Sequence, residues 1–130
     1  ALPQSGKASY NGFVVGHIDN GAGEVVADGG GFTATADFGT RSITANFTDL
    51  FGQDFSLSNM SISSLGAGYT GTASASLSGS LKNIEVNGLF FKAQRNGSID
   101  TTAATGGSLV FKNGQQLVGS GVFGGDRVSD

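Results

Sequence analysis

The chain contains no cysteine and no tryptophan, and it has one proline and one histidine among its 130 residues. Without cysteine, a disulfide framework, a thiolate nucleophile and a zinc–thiolate site are all excluded. Attachment of a lipid to an N-terminal cysteine is excluded within this sequence for the same reason. With a single histidine, an ordinary zinc site built only from protein ligands is not expected.

Charge is also scarce, because 13% of the residues are charged and the formal net charge is −3. No basic cluster is present, which argues against a nucleic-acid partner. No apolar run approaches the ~18 residues that a membrane-spanning helix requires, so no transmembrane span is expected. A chain of this length is expected to form one domain over residues 1–130, which can equally be the C-terminal domain of a longer protein.

Glycine is abundant, with 23 residues that lack the every-third spacing of collagen. Apolar and hydroxyl-bearing residues alternate over residues 32–38, 43–48 and 69–78. Such alternation gives each strand one apolar face and one polar face. The glycines are therefore interpreted as residues of strands and turns that lie close together.

Eight segments of this kind are predicted, and their joins are mostly short. They cover residues 8–18, 29–38, 41–49, 54–63, 68–80, 83–93, 105–112 and 116–124. Short joins favour antiparallel pairing of consecutive strands, so the predicted fold is all-β, an eight-stranded antiparallel up-and-down β-barrel. A two-sheet sandwich is the alternative. Because alanine and glycine are frequent on the apolar faces, a filled lumen is expected rather than a wide ligand cavity.

Three places depart from simple alternation or contain turn chemistry. Asn113-Gly114 predicts a type I′ hairpin turn. Leu57 and Met60 are out of phase, which predicts a bulge or a strand end near residues 58–59.

Leu89, Phe90 and Phe91 place apolar groups on both faces of one strand. One of these faces must meet something other than water, so the three residues are candidates for a partner surface or a domain-facing wall. The alternative is that they pack in the core.

No catalytic arrangement is found in the sequence. Glycine patterns of the G-x-G-x-x-G type occur at residues 66–71 and 119–124, but a strand follows the first and the end of the chain follows the second. A dinucleotide site needs a helix at that point. Asp19, Glu24 and Asp28 are predicted to form one solvated acidic loop, without the ligand spacing of a calcium site. We therefore expect that the protein is not an enzyme.

The closing segment carries a resemblance to a known family. Residues 121–127, Gly-Val-Phe-Gly-Gly-Asp-Arg, resemble the terminal strand of the transferrin-binding protein B-like β-barrels of Gram-negative bacteria. The family places a double glycine and a strand before this ending, and residues 106–111 match that pattern. Residues 88–93 match an upstream strand in part, with Lys92 near a position where family members usually have glycine.

The resemblance implies a non-enzymatic binding module, located on the outward face of the outer membrane or secreted. Members of the family bind host proteins or haem, and in several of them an outer-membrane translocon also engages the C-terminal barrel. The expected partner is therefore a host protein or such a translocon, and a monomer is expected. No partner-binding residue can be carried over, because the binding loops share no motif with this chain.

A second hypothesis is a carrier of a small ligand such as haem. His17 would then be a ligand, with Tyr10 or Tyr69 as its partner. The alternative for His17 is a solvated histidine at the end of a strand.

Overall fold

The computed structural model describes residues 3–19, 21, 23–63, 66–77, 79–95 and 97–128, and it describes Asn59 and Arg95 by their backbone alone. Eight strands form one closed barrel in chain order, each antiparallel to the next. The predicted all-β, eight-stranded up-and-down barrel is thus confirmed, and the sandwich is not adopted. The strands are β1 Lys7–Asp19, β2 Glu24–Asp37, β3 Ser42–Leu50, β4 Gln53–Ile62, β5 Gly68–Leu77, β6 Ser80–Arg95, β7 Ser98–Asn113 and β8 Gln116–Val128.

The barrel closes where the last strand pairs with the first. The ladder between β8 and β1 runs from the pair of Ser9 with Val128 to the pair of Ile18 with Gly119. The closing segment therefore lies against β1, as its position at the end of the chain predicts. Backbone groups that would form a free edge are paired here, which removes a template for aggregation.

A single apolar core fills the lumen. The rings of Phe32, Phe47 and Phe123 are all buried, with centroids separated by 4.8 to 5.4 Å. Ala34 of β2 lies opposite Ala45 of β3, and both point inward and are buried. Small side chains beside large ones let an eight-stranded barrel fill its interior, which confirms the expectation of a packed lumen.

Two strands, β2 and β7, begin well before the residue that the alternation predicts. Strand β2 begins at Glu24, which pairs with Asp19, so the predicted acidic loop is wrong. The β-branched pair Val25-Val26 extends the ladder because valine favours a pleated, half-buried surface. Strand β7 begins at Ser98 rather than at residue 105. Its first half contains the buried Thr102, and because this inward-facing residue is polar, the apolar pattern that marks a strand is missing there.

The hairpin between β7 and β8 forms where it was predicted, but with another turn type. Asn113 still pairs with Gln116, so the two central residues are Gly114 and Gln115. Only Gly114 has a positive φ, of 66°. Positive φ at the first central residue alone is the pattern of a type II′ turn, so the type I′ prediction at Asn113-Gly114 is wrong by one position.

The bulge predicted in β4 is confirmed. Ile43 pairs with Met60 and Ala45 pairs with Leu57, so two residues of β4 stand opposite one residue of β3. A bulge of this kind shifts the side-chain alternation by one position. Leu57 and Met60 consequently both reach the lumen, where each is 4% exposed.

Candidate protein-interaction surface

The barrel wall divides the six candidate residues equally between its two faces. Three are buried, namely Tyr10, Tyr69 and Phe90, and three lie on the outer face, namely His17, Leu89 and Phe91. In a strand, successive side chains point to opposite faces, so neighbours in sequence are separated by the thickness of the sheet. Which of these residues share a face of the wall therefore depends on their positions along the strands and not on their side-chain type.

The two tyrosines hold one end of the core together. The hydroxyl of Tyr10 donates to the backbone carbonyl of Thr102 at 2.7 Å. The hydroxyl of Tyr69 lies 2.6 Å from Thr105 Oγ1, which donates onward to the carbonyl of Leu89 at 2.8 Å. Both phenol groups are thus satisfied although they are buried, as buried polar groups generally are.

Phe90 lies between these tyrosine rings. Its centroid is 5.8 Å from that of Tyr10, 5.3 Å from that of Tyr69 and 5.5 Å from that of Phe38. Aromatic pairs at these separations stabilise a core beyond the area that they bury. Of the three residues 89–91, Phe90 therefore belongs to the core, and only Leu89 and Phe91 are available to a partner.

Burial raises the pKa of Tyr69 above its ordinary value of 10.0. The folded protein therefore keeps Tyr69 protonated at pH values at which the unfolded chain ionises it. The free energy of unfolding keeps its full value below about pH 10 and falls as the pH rises above that value. For one proton, the loss is about 1.4 kcal/mol per pH unit. We expect Tyr69→Phe to reduce this alkaline loss of stability, measured by urea unfolding at pH 9 and pH 11. An equal loss in both proteins would contradict the assignment to Tyr69.

His17 makes two polar contacts on the outer face. Its Nδ1 lies 3.0 Å from Glu24 Oε2, and its Nε2 lies 3.1 Å from Ser120 Oγ. Its side chain is 48% exposed. His17 and Tyr10 occupy opposite faces of β1, so the structure does not bring the histidine and the tyrosines together in one site. Among the described residues, no group of three or more His, Cys, Asp or Glu side chains is placed to hold a metal ion.

The outer face carries an apolar row that crosses four neighbouring strands. Leu89 of β6 pairs with Gly106 of β7, which pairs with Gly124 of β8, which in turn pairs with Phe13 of β1. Two glycines thus form the middle of the row, and a large apolar residue stands at each end. Phe13 is 49% exposed and Leu89 is 51% exposed.

Two further residues extend this row into a patch. The ring of Phe91, which is 47% exposed, lies near Gly106 of the neighbouring strand β7, since a Cβ atom added to that glycine would lie 3.7 Å from Phe91 Cε2. Val122, which is 50% exposed, stands two residues before Gly124 on the same face. We refer to these residues together as the apolar wall: Phe13, Leu89, Phe91, Gly106, Val122 and Gly124.

Only one side of the apolar wall is identifiable from the sequence pattern alone. Leu89 and Phe91 were found because three apolar residues in succession must expose at least one. Phe13 stands in the same kind of run, Phe13-Val14-Val15, which is the pattern that could have revealed it. Its proximity to Gly124 depends on the pairing of β1 with β8, which is a long-range contact and cannot be read from either segment alone.

An exposed apolar surface of this kind is chemically suited to binding. Large apolar side chains that remain half exposed lose water when a partner covers them, which favours association. Aromatic residues at the centre of such patches commonly dominate the binding energy of protein complexes. None of the described segments forms a helix that is long and apolar enough to cross a membrane.

Comparison with known proteins finds similarity in structure only. No protein-family model matches the chain, and no curated protein matches it in sequence. Intact two-lobed Ap-TbpB superposes with a TM-score of 0.72 at 24% identity, over 97% of this chain and 27% of the other. A double mutant of transferrin-binding protein B from Haemophilus parasuis superposes with a TM-score of 0.75 at 23% identity, over 99% of this chain and 27% of the other.

A third similar structure is described as a surface lipoprotein, with a TM-score of 0.68 at 16% identity. It is covered over 64% of its length, and 98% of this chain is aligned. The chain thus spans about a quarter of each of the two transferrin-binding proteins and about two thirds of the lipoprotein. Since nearly the whole chain superposes in every case, the protein has the β-barrel fold found in transferrin-binding protein B.

Proposed function

We propose that this barrel is a non-enzymatic binding module of the transferrin-binding protein B-like type, which binds a host protein through its apolar wall. The module acts at the bacterial cell surface, on the outer face of the outer membrane, or as a secreted protein, and it serves the acquisition of iron or haem. The observation that carries the proposal is the row from Leu89 to Phe13, in which large apolar side chains flank two paired glycines on the outside of a closed barrel.

The glycines give the apolar wall its shape. Because Gly106 and Gly124 have no side chain, the aromatic rings can lie over them: a Cβ atom added at Gly106 would be 3.7 Å from Phe91 Cε2, and one added at Gly124 would be 3.3 Å from Phe13 Cε1. A partner therefore meets two aromatic rings that lie close to the sheet and remain half exposed. Interfaces with a well-packed, desolvated centre of this kind are the ones that gain most from a few aromatic residues.

The structural comparisons support a protein as the partner. Two of the similar structures are named for transferrin binding, and a third is described as a surface lipoprotein. Transferrin is thus the first host protein to test against this chain. The finer assignment, to transferrin itself or to another host protein, depends on that experiment.

The experiment uses the immobilised barrel to capture proteins from host serum and, separately, from a detergent extract of bacterial outer membranes. The same capture is repeated with Phe13→Ser/Phe91→Ser, after circular dichroism has shown that this variant is folded. We expect the wild-type barrel to retain a serum protein that the double variant does not retain. If both barrels retain the same serum proteins, the assignment of the apolar wall is contradicted.

The membrane extract tests a second class of partner. Recognition of the barrel by an outer-membrane translocon would give a retained membrane protein and no retained serum protein, and it would indicate that this surface serves export. Retention of a serum protein alone would support host binding. If the wild-type barrel retains no protein from either source, the proposed function is overturned.

A further inference from the structure

A groove lies on the outer face beyond one end of the apolar wall. It has a volume of about 360 Å³ and lies over β1, β2 and β8. Three valines, Val15, Val26 and Val122, line it together with two acidic residues, Glu24 and Asp28. Val26 is 63% exposed and Val122 is 50% exposed, so the apolar part of the groove is open to solvent. Val122 also belongs to the apolar wall, which makes the two surfaces continuous.

An irregularity in the strand pairing opens the groove. Val14 pairs with Gly30 and Gly16 pairs with Ala27, so two residues of β2, Asp28 and Gly29, stand opposite the single residue Val15 of β1. A bulge of this kind bends the strand locally and re-aims its side chains. Bulges are frequent next to binding sites for this reason, and here the bulge places a carboxylate beside an apolar floor.

The groove is lined by two carboxylates, and His17 is the one basic side chain among its lining residues. None of the residues that line it is lysine or arginine. The carboxylate of Glu24 accepts from His17 Nδ1 at 3.0 Å. The Asp28 side chain makes no hydrogen bond or ion pair with the residues that the structure describes, so its oxygens are available to an external donor. The chain as a whole is also acidic, with a formal net charge of −3.

We propose that this groove binds one arginine or lysine side chain of a protein partner. The aliphatic part of that side chain lies over Val15, Val26 and Val122, and its cationic end reaches the carboxylates of Glu24 and Asp28. Long basic side chains combine an apolar stem with a charged head in this way, which matches a groove with an apolar floor and an acidic rim. The inference rests on the proposed function, since it states the chemistry that a partner of the apolar wall presents at one end.

The two surfaces contribute differently to binding, one mainly to affinity and the other mainly to orientation. The apolar wall would supply most of the binding energy, because it buries large side chains. An exposed ion pair changes an affinity by about two- to fivefold, so the groove selects the orientation of the partner more than it raises the affinity.

The test is an NMR titration of the isotopically labelled barrel with N-acetyl-arginine-N-methylamide. The control ligand is the citrulline analogue, which has nearly the same shape and no charge. We expect saturable shifts of the amide resonances of Val15, Val26 and Val122 at millimolar concentrations of the arginine compound, and much weaker shifts with the citrulline compound. Equal shifts with both compounds, or no saturable shifts at these residues, would overturn the proposal.

Two variants locate the effect on the acidic rim. Asp28→Asn is expected to weaken the arginine compound by about two- to fivefold, the effect of one exposed ion pair. Asp126→Asn removes the same charge from the outer face of β8, four residues beyond Val122, and is expected to leave the affinity unchanged. Equal weakening by both variants would show that only the net charge matters, and it would overturn the groove as a site.

This experiment separates the inference from the proposed function. The small ligand reaches only Val122 of the apolar wall, so its binding does not depend on Phe13 or Phe91. Failure of the titration, combined with partner capture that is sensitive to Phe13→Ser/Phe91→Ser, would overturn the groove and leave the proposed function standing. A successful titration, combined with a barrel that captures no protein, would overturn the proposed function and leave the groove standing.

Discussion

Replacing Gly12 by alanine is expected to unfold the barrel or to destabilise it severely at its seam. A Cβ atom at this position would lie 1.8 Å from the carbonyl oxygen of Gly124 and 2.5 Å from the Cα of Gly125. Both obstacles are backbone atoms of β8, so no side-chain rotation can relieve the overlap. The strands must separate at the place where β8 closes the barrel against β1.

The cost should be on the order of 3 kcal/mol or more, at the upper end of the effects of overpacking. A domain of this size is typically stable by about 5–15 kcal/mol, so the change removes a large part of the total. Urea unfolding followed by circular dichroism measures it directly. For Gly12→Ala protein that refolds and remains soluble, thermal unfolding allows the same comparison with the wild type.

Gly29→Ala is the matched control for Gly12→Ala. A Cβ atom at Gly29 would meet nothing within 4 Å, and this glycine is not among those with a positive φ. The same methyl group should therefore change the free energy of unfolding by less than about 1 kcal/mol. Equal destabilisation by the two variants would show that the close approach of β1 and β8 is not the cause.

The second large effect is expected at Phe90, in contrast to its neighbour Phe91. Phe90 is 6% exposed and its ring contacts those of Tyr10 and Tyr69, whereas Phe91 is 47% exposed. Removing a buried phenylalanine side chain costs about 3–5 kcal/mol, because apolar contacts are lost and a cavity remains. We expect a loss of this size for Phe90→Ala in urea unfolding.

Phe91→Ala should cost less than about 1 kcal/mol, since its ring remains half in solvent and lies over a glycine of the outer face. The two substitutions are chemically identical and adjacent in sequence. The difference between them therefore measures which face of β6 points inward. Similar losses for both variants would contradict the assignment of Phe91 to the apolar wall.

The sequence predicted the barrel because alternation with a period of two is a local property. Phe32, Ala34 and Ala36 are each separated by a threonine, and this pattern alone assigns the inward face of β2. The bulge at residues 58–59 was predictable for the same reason, since it appears as a break in the phase of apolar residues. Eight segments with short joins then leave few topologies to consider.

The candidate site was less predictable because it depends on the lateral register of strands that are distant in sequence. Gly106 and Gly124 have no side chain, so the alternation of apolar and polar side chains gives no direct sign that these positions lie on the outer face. Only the pairing of Gly106 with Gly124, and of Gly124 with Phe13, shows that these residues form one row. The groove at Asp28 was not predicted either, because the bulge consists of a charged residue and a glycine, and this pair resembles a loop in the sequence.

The central claim is that the apolar wall binds a protein partner. Its most direct test is the dissociation constant of the captured serum protein, or of transferrin, for three barrels: wild type, Phe13→Ser/Phe91→Ser and Leu81→Ser. Leu81 is 64% exposed on β6 and lies outside the apolar wall, so it controls for the loss of any exposed apolar side chain.

We predict that the double variant weakens binding at least about 30-fold, as expected when truncation of interface aromatic residues removes 2 kcal/mol or more. Leu81→Ser should bind as the wild type does. Undiminished binding by Phe13→Ser/Phe91→Ser, or an equal loss in Leu81→Ser, would contradict the claim.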